Sequence, residues 1–355
     1  MKKIILLFSL VIASITTIAQ VVVNEYSVSN LSSYIDNYGG EEDWIELYNT
    51  TGSTVNIGGF HLSDKTSNPT KWEIPEGTLI PANGYLVFWC SGRDEVSGNN
   101  YHTNFKLKQT KNTQEHIVFS DTNGSILEDI VLQKTQLEHA MGKSPNGTGV
   151  WKIFTVSTLG DANIGANYLA YAETPIMNLE AGFYEGTQSV SITTSEPNAS
   201  IYFTLNGTLP SENSTAYSTD IMLSDTKIVK AIVISDQPEI LPSFISFNTY
   251  FINENHSLPV LSTSADQLTV LLNGNQSLRP HGTIEFFDAE GIRKDAGYGE
   301  YNKHGQDSWQ FPQRSFDYIA RDEMGYHDAI NDKLLEYSER DSFQRIIIRA
   351  SGDDN

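Results

Sequence analysis

The sequence predicts a mainly β chain: a first β-sandwich or barrel, a second antiparallel sandwich, and a closing region of mixed α and β structure. Short runs rich in Val, Ile, Tyr, Phe and Trp recur between Gly, Asn and Asp turn residues as far as about residue 252. Several of these runs alternate apolar with polar residues, the period of a strand with one face buried. Beyond Leu258 the apolar spacing changes to three and four, the period of a helix.

Residues 1–20 stand apart from any fold. Lys2 and Lys3 form a basic head, Ile4 to Ile15 an apolar run, and Thr17-Ile18-Ala19 a small-residue cleavage pattern before Gln20. This is the pattern of a secretory signal peptide, with an uncleaved anchor as the alternative. The expected location is secreted or on the cell surface. No later apolar run approaches the roughly 20 residues that cross a bilayer, so no transmembrane segment is expected after signal removal. Cys90, the single cysteine, excludes an internal disulfide, and its setting in "LVFWCSG" predicts a buried thiol. The 355 residues carry a net charge of −21, with 23 Lys and Arg against 44 Asp and Glu. That balance argues against nucleic acid as a partner, because phosphate binding rests on Lys and Arg. The one basic patch, "NFKLKQTKN" with Lys106, Lys108 and Lys111, reads as a solvated strand face.

Residues 21–167 open with "VVVNEY" and "DWIELYN", the latter placing Trp44, Glu46 and Tyr48 on one face and Ile45 and Leu47 on the other. "GGFHLSD", "GYLVFWCS", "EHIVFSDTNGSI" and "EDIVLQ" repeat the rhythm. Together with "IPEGTLIPANGYLVFW", "NFKL" and "SPNGTGVWKIFTVSTLGDAN", these strings resemble a lamin tail domain, which implies an immunoglobulin-like sandwich used for binding or spacing. Trp44, Trp72 and Trp89 are either an aromatic platform for sugars or core and cross-strand pairs.

Residues 168–173 form a linker, and a second module spans 174–252. "QSVSITTS", "ASIYFTLNGTLP" and "KIVKAIVIS" read as strands, and Asn206-Gly207 as a tight hairpin turn with both central residues at positive φ. The expected core takes Ile201, Phe203 and Leu205 from one strand and Ile228, Ala231 and Val233 from another. The order "GFYEGTQSVSITTSEPNASIYFTLNGTLPSENSTAYS" resembles the chitobiase/β-hexosaminidase C-terminal-like module, a fibronectin-type sandwich. A glycan-binding module and a passive spacer are both compatible with it.

In residues 258–355, Ser264 and Gln267 have capping-box spacing ahead of Leu268, Leu271 and Leu272, with Gly274 placed to close that helix. "GTIEFFDAEG" reads as a strand. "YHDAINDKLLEYSER" sets Ile330, Leu334 and Tyr337 at helical spacing. Ile346 to Ile348, between Arg345 and Arg349, predict a strand buried on both faces.

"LPVLSTSADQL", "RPHGTIEFFDAEG", "YNKHGQDSWQFPQRSFDYIARDEMGY" and "RIIIRASGDDN" resemble the opening part of the CotH kinase family, the spore-coat-protein-H-like atypical kinases. The resemblance implies a partial kinase-like domain and a cation for nucleotide phosphates at Arg314, where the family commonly carries lysine. It also marks Asp353 and Asp354, with Asn355, as metal-facing candidates; a frayed acidic terminus is the alternative. ATP and Mg²⁺ are expected only if the kinase domain is complete. The end at Asn355 looks like a break inside that domain, so no turnover is expected from this chain alone.

Other constellations are weaker. His304, Asp307 and Ser308 lie close in sequence, but a triad is defined by geometry. Glu41-Glu42 and the Asp43/Glu46 pair read as solvated. The leading functional reading is the front of an exported CotH-type kinase. The alternative is a non-enzymatic adhesion or carbohydrate-binding protein using its sandwiches, with an extracellular protein or glycan as partner. A glycoside hydrolase is a distant third, since no catalytic carboxylate pair stands out.

Overall fold

The computed structural model of the chain describes residues 20–305, 309, 314–334 and 338–349. The chain is mainly β, as the sequence predicts. In the first unit, Val21–Ser27 lies at the middle of an eight-stranded sheet between Ala140–Ser144 and Trp44–Asn49. Val150–Phe154 and Asn167–Tyr168 extend it on one side, and Tyr85–Trp89, Asn100–His102 and Glu95–Ser97 on the other. A four-stranded sheet built on His116–Ser120 and His61–Ser63 packs against it. Val21, Val23, Ile45, Leu47 and Phe88 meet Leu62, Trp72, Ile117 and Phe119 between the two sheets. Burying each such side chain stabilises the sandwich by about 2 kcal/mol.

Cys90 lies in this core, and burial pushes its thiol well above the ordinary range. Trp44, Trp72 and Trp89 are all buried, which excludes the aromatic-platform alternative. Trp44 and Trp89 face each other across neighbouring strands, and the Trp72 indole donates to Asp94 Oδ1 at 3.0 Å.

In the second unit, a five-stranded sheet (Gly182–Tyr184, Ser246–Ile252, Lys227–Ser235, Ala199–Thr204 and Thr215–Ala216) packs on two short strand pairs. Phe203 and Ala231 enter the core as expected, joined by Val229, while Ile201 and Leu205 pack at its edge. Val233 is buried too, but Ile228 lies half-buried on the other face. The expected set mixed two faces: along a strand, residues 229, 231 and 233 share a side and 228 does not. Asn206-Gly207 is not a two-residue hairpin. Gly207 alone has positive φ (75°), and the strand after Ala199–Thr204 begins only at Thr215.

The third unit is an antiparallel sheet ordered Val260–Ala265, His281–Phe287, Arg293–Lys303, Phe316–Ala320 and Arg345–Ile348. The helix Leu268–Leu272 packs Leu268 and Leu271 on one face. The predicted capping box is absent, because Ser264 sits in the first strand and donates its hydroxyl to Gly207 O across the unit boundary. The predicted helix over 326–340 is not formed in its described residues. Ile330 instead makes a strand-like bridge to Phe343 that buries both side chains, and Leu334 packs beside them. Among the described residues Arg345–Ile348 pairs only with Phe316–Ala320, and Ile347 is 47% exposed, so the strand is not buried on both faces. Among the described residues no helix is long and apolar enough to cross a membrane.

Candidate functional site

The three units close on one another through side chains that sequence alone places in no motif. Asp322 accepts from the backbone of Gln109 and Thr110 and from the Thr110 hydroxyl, and Lys108 pairs with Asp328. Lys106 and Lys111 pair with Glu42 and Glu115. The lysines of the basic patch are thus solvent-exposed, as expected, but each pairs with a carboxylate of the chain, and Lys108 docks the third unit on the first. Burial, then the neighbouring Glu323 and Asp322, holds the Asp43 carboxyl well above its usual range. Asp43 is half-buried and so only partly the solvated acid its sequence context implied. On the other side, Gln136 donates to Pro242 O and Ser243 O, and Ala170–Tyr171 pairs in parallel with Ile240–Leu241.

Where these junctions meet lies a cleft of about 740 Å³. Its apolar wall is Phe244, Phe247 and Tyr326, with ring centroids 5.8 Å apart for Phe244 and Tyr326 and 6.1 Å for Phe247 and Tyr326. Tyr171 and Tyr298 brace the wall from behind, at 5.2 Å from Phe244 and Tyr326 respectively. The Tyr326 hydroxyl accepts from Ile245 N at 2.9 Å, so its ring is fixed. Asn248, Arg293 and Asp295 add polar groups to the wall. Arg293 Nη1 donates to Asn248 Oδ1 at 2.6 Å and to Glu285 Oε1 at 3.0 Å. Burial raises the Glu285 carboxyl above its ordinary value, while the Thr249 hydroxyl and Arg293 oppose that shift. This network makes Arg293 a fixed feature rather than a swinging one. A rigid aromatic wall with a few fixed polar groups is suited to holding a ligand. It is not suited to two-carboxylate hydrolysis, since Asp295 is the single carboxylate in the lining.

A buried carboxylate pair does exist elsewhere. A bulge between Val23 and Glu25 leaves Asn24 and Glu25 opposite the single residue Glu46. Glu25 accepts from Thr158 N and Oγ1, and Glu46 from Asn24 Nδ2 (2.9 Å) and Gly160 N (2.6 Å). Both are 0% exposed, and burial lifts their carboxyls to about 7 and about 8. No substrate reaches them; they fasten the 158–160 loop over the sheet. Glu46 corrects the expectation of a solvated acid.

Arg314 lies with its guanidinium 5.1 Å from the Trp309 ring centroid, and Lys303 is 5.4 Å from the same ring. The His304 imidazole Nδ1 is 2.8 Å from Asp317 Oδ1, so its carboxylate neighbour is Asp317. Asp307, Ser308, Asp353, Asp354 and Asn355 lie outside the described residues. Among the described residues no group of three or more His, Cys, Asp or Glu side chains is arranged to hold a metal ion.

Residues 15–134 match the family model of the Lamin Tail Domain, and residues 179–240 that of the Chitobiase/beta-hexosaminidase C-terminal domain. The chain carries both modules. No CotH family model matches, and the kinase resemblance of the third unit is unsupported. Comparison with curated proteins returns no match. The Lamin Tail Domain match ends at residue 134, whereas the eight-stranded sheet continues to Tyr168. The cleft lies beyond both matched stretches for the most part, and its lining comes from segments far apart in the chain. No local spacing announces such a site. The burial of Glu46 had a sequence signal, for it shares a strand face with Trp44.

Proposed function

We propose that this protein is a non-enzymatic, extracytoplasmic binding protein that attaches to carbohydrate through the cleft where its three units meet. The observation that carries this reading is the cleft itself: three braced aromatic rings beside Asn248, Arg293 and Asp295. Ring faces pack on the apolar C–H faces of a sugar, and fixed polar groups meet its hydroxyls. The second module supports the reading, because the family it matches is named for a chitobiase and a β-hexosaminidase. Fold alone does not specify function, so the weight rests on the site. The N-terminal signal pattern supports an extracytoplasmic location for such binding.

The test is retention of the full chain on chitin, cellulose and peptidoglycan beads, followed by titration calorimetry with oligosaccharides of the retained polymer. Thr174→Trp fills the cleft from an exposed lining position, and Phe247→Ala removes part of its wall. Each is expected to weaken binding by about tenfold or more, a loss of about 1.4 kcal/mol. Binding that survives both substitutions in folded protein, or elution of the unaltered protein with the void from every bead, overturns the proposal.

A further inference from the structure

The charge in the cleft runs against the charge of the molecule. The chain has 23 Lys and Arg against 44 Asp and Glu, yet the cleft is lined by Lys134, Arg293 and Lys294 against Asp295 alone. At physiological salt a charge is felt over only about 8 Å, so a ligand in the cleft meets these groups together with the carboxylates beside them, Glu285 and Glu180 at Arg293 and Asp288 at Lys294. The four lining charges are not equally committed. Arg293 is held by Glu285 and Asn248, with Glu180 at 3.6 Å. Asp295 is turned to the wall, accepting from Asn331 N at 2.5 Å with His327 at 3.8 Å. Lys294 reaches Asp288 only at 4.0 Å and is 42% exposed. Lys134 has no carboxylate within ion-pair distance among the described residues, and its ammonium lies 5.9 Å from the Phe244 ring centroid, at the aromatic wall. Two exposed lysines from different units, Lys134 from the first and Lys294 from the third, therefore line one cleft with the aromatic wall, Lys134 against the Phe244 ring and Lys294 with only its 4.0 Å pair to Asp288.

We infer that the cleft takes an anionic saccharide, whose acidic group is met by Lys134 and Lys294 while its ring packs on the aromatic wall. This inference rests on the carbohydrate reading above and specifies its ligand class. A uronate carboxylate and a sulfate ester present the same chemistry to a lysine pair.

Titration calorimetry of the full chain with three probes tests it: an oligogalacturonate, the same oligomer as its neutral methyl ester, and a sulfated oligosaccharide of similar length. The expected result is that at least one anionic probe binds about tenfold or more tightly than the ester, with affinity falling as salt rises. A preference for the sulfated probe supports the inference and identifies the anion as a sulfate ester. The Lys134→Ala/Lys294→Ala double variant, verified as folded by its cooperative melting, is expected to bring the ratio of anionic to neutral affinity to about one. Equal binding of neutral and anionic probes by the unaltered protein overturns the inference and leaves the carbohydrate reading standing, as does a preference that persists in the double variant. Failure of every saccharide, neutral or anionic, overturns both.

Discussion

Glu25 and Glu46 face each other across two central strands of the first sandwich, with their carboxyl groups sealed from solvent. Both are lifted above the ordinary value of 4.5, to about 7 and about 8, chiefly by burial. The folded state therefore keeps protons that the unfolded chain has already released over this interval. Stability must then fall as pH rises from about 4.5 towards 8 and level off above it. The urea midpoint of the protein is expected to be higher near pH 5 than near pH 8. Glu46→Gln, which keeps the side chain's size but cannot ionise, is expected to flatten that slope, by on the order of a few kcal/mol across the interval. An unchanged slope in the variant would place the pH dependence elsewhere.

The loop at Gly207 and the strand Val260–Ala265 meet so closely that a side chain at 207 has nowhere to go. A Cβ there would lie 2.2 Å from Ser264 Oγ and 3.0 Å from Ser264 Cβ, and the residue has φ of 75°. Gly39 has nearly the same backbone, φ of 79°, with nothing within 4 Å of a Cβ. Gly39→Ala is expected to cost only the left-handed backbone term, about 1 kcal/mol. Gly207→Ala adds a collision and the loss of the Ser264 hydroxyl's bond to Gly207 O, and is expected to cost about 1–2 kcal/mol more. Thermal melting of the two variants side by side separates backbone strain from the contact between units; equal losses would mean that the junction yields at no cost.

Across the whole molecule the three units are joined by specific polar contacts rather than strung on free linkers. Lys108 with Asp328, and Asp322 with Gln109 and Thr110, tie the first unit to the third. Thr249 on buried Glu285 and Arg293 on Asn248 tie the second unit to the third. Lys108→Glu sets like charges together beside Asp322 and Asp328, and is expected to split one cooperative calorimetric transition into two, with the first unit melting apart from the rest. A single transition at an unchanged midpoint would show that this junction contributes little. Because the cleft is built from all three units, the same variant is expected to weaken saccharide binding.

The strands of both sandwiches, the buried Cys90 and the two module resemblances were legible in the sequence, because alternation and turn residues are local signals carried within a few residues of each other. The helix expected over 326–340 was not: its apolar spacing fits a helix, but in the fold Ile330 gains a bridge to Phe343 and burial under the third sheet. The bulge that turns Glu25 beside Glu46, the service of Lys108 as an internal tether, and the gathering of Lys134, Phe244, Arg293 and Tyr326 around one cleft all depend on contacts between distant residues. Such contacts are decided by how whole units pack, where burial and charge pairing across a junction outweigh the few tenths of a kcal/mol of local preference. The sequence by itself determined the strands of the two sandwiches, and the tertiary structure alone decided the sheet of the third unit and which side chains share a site.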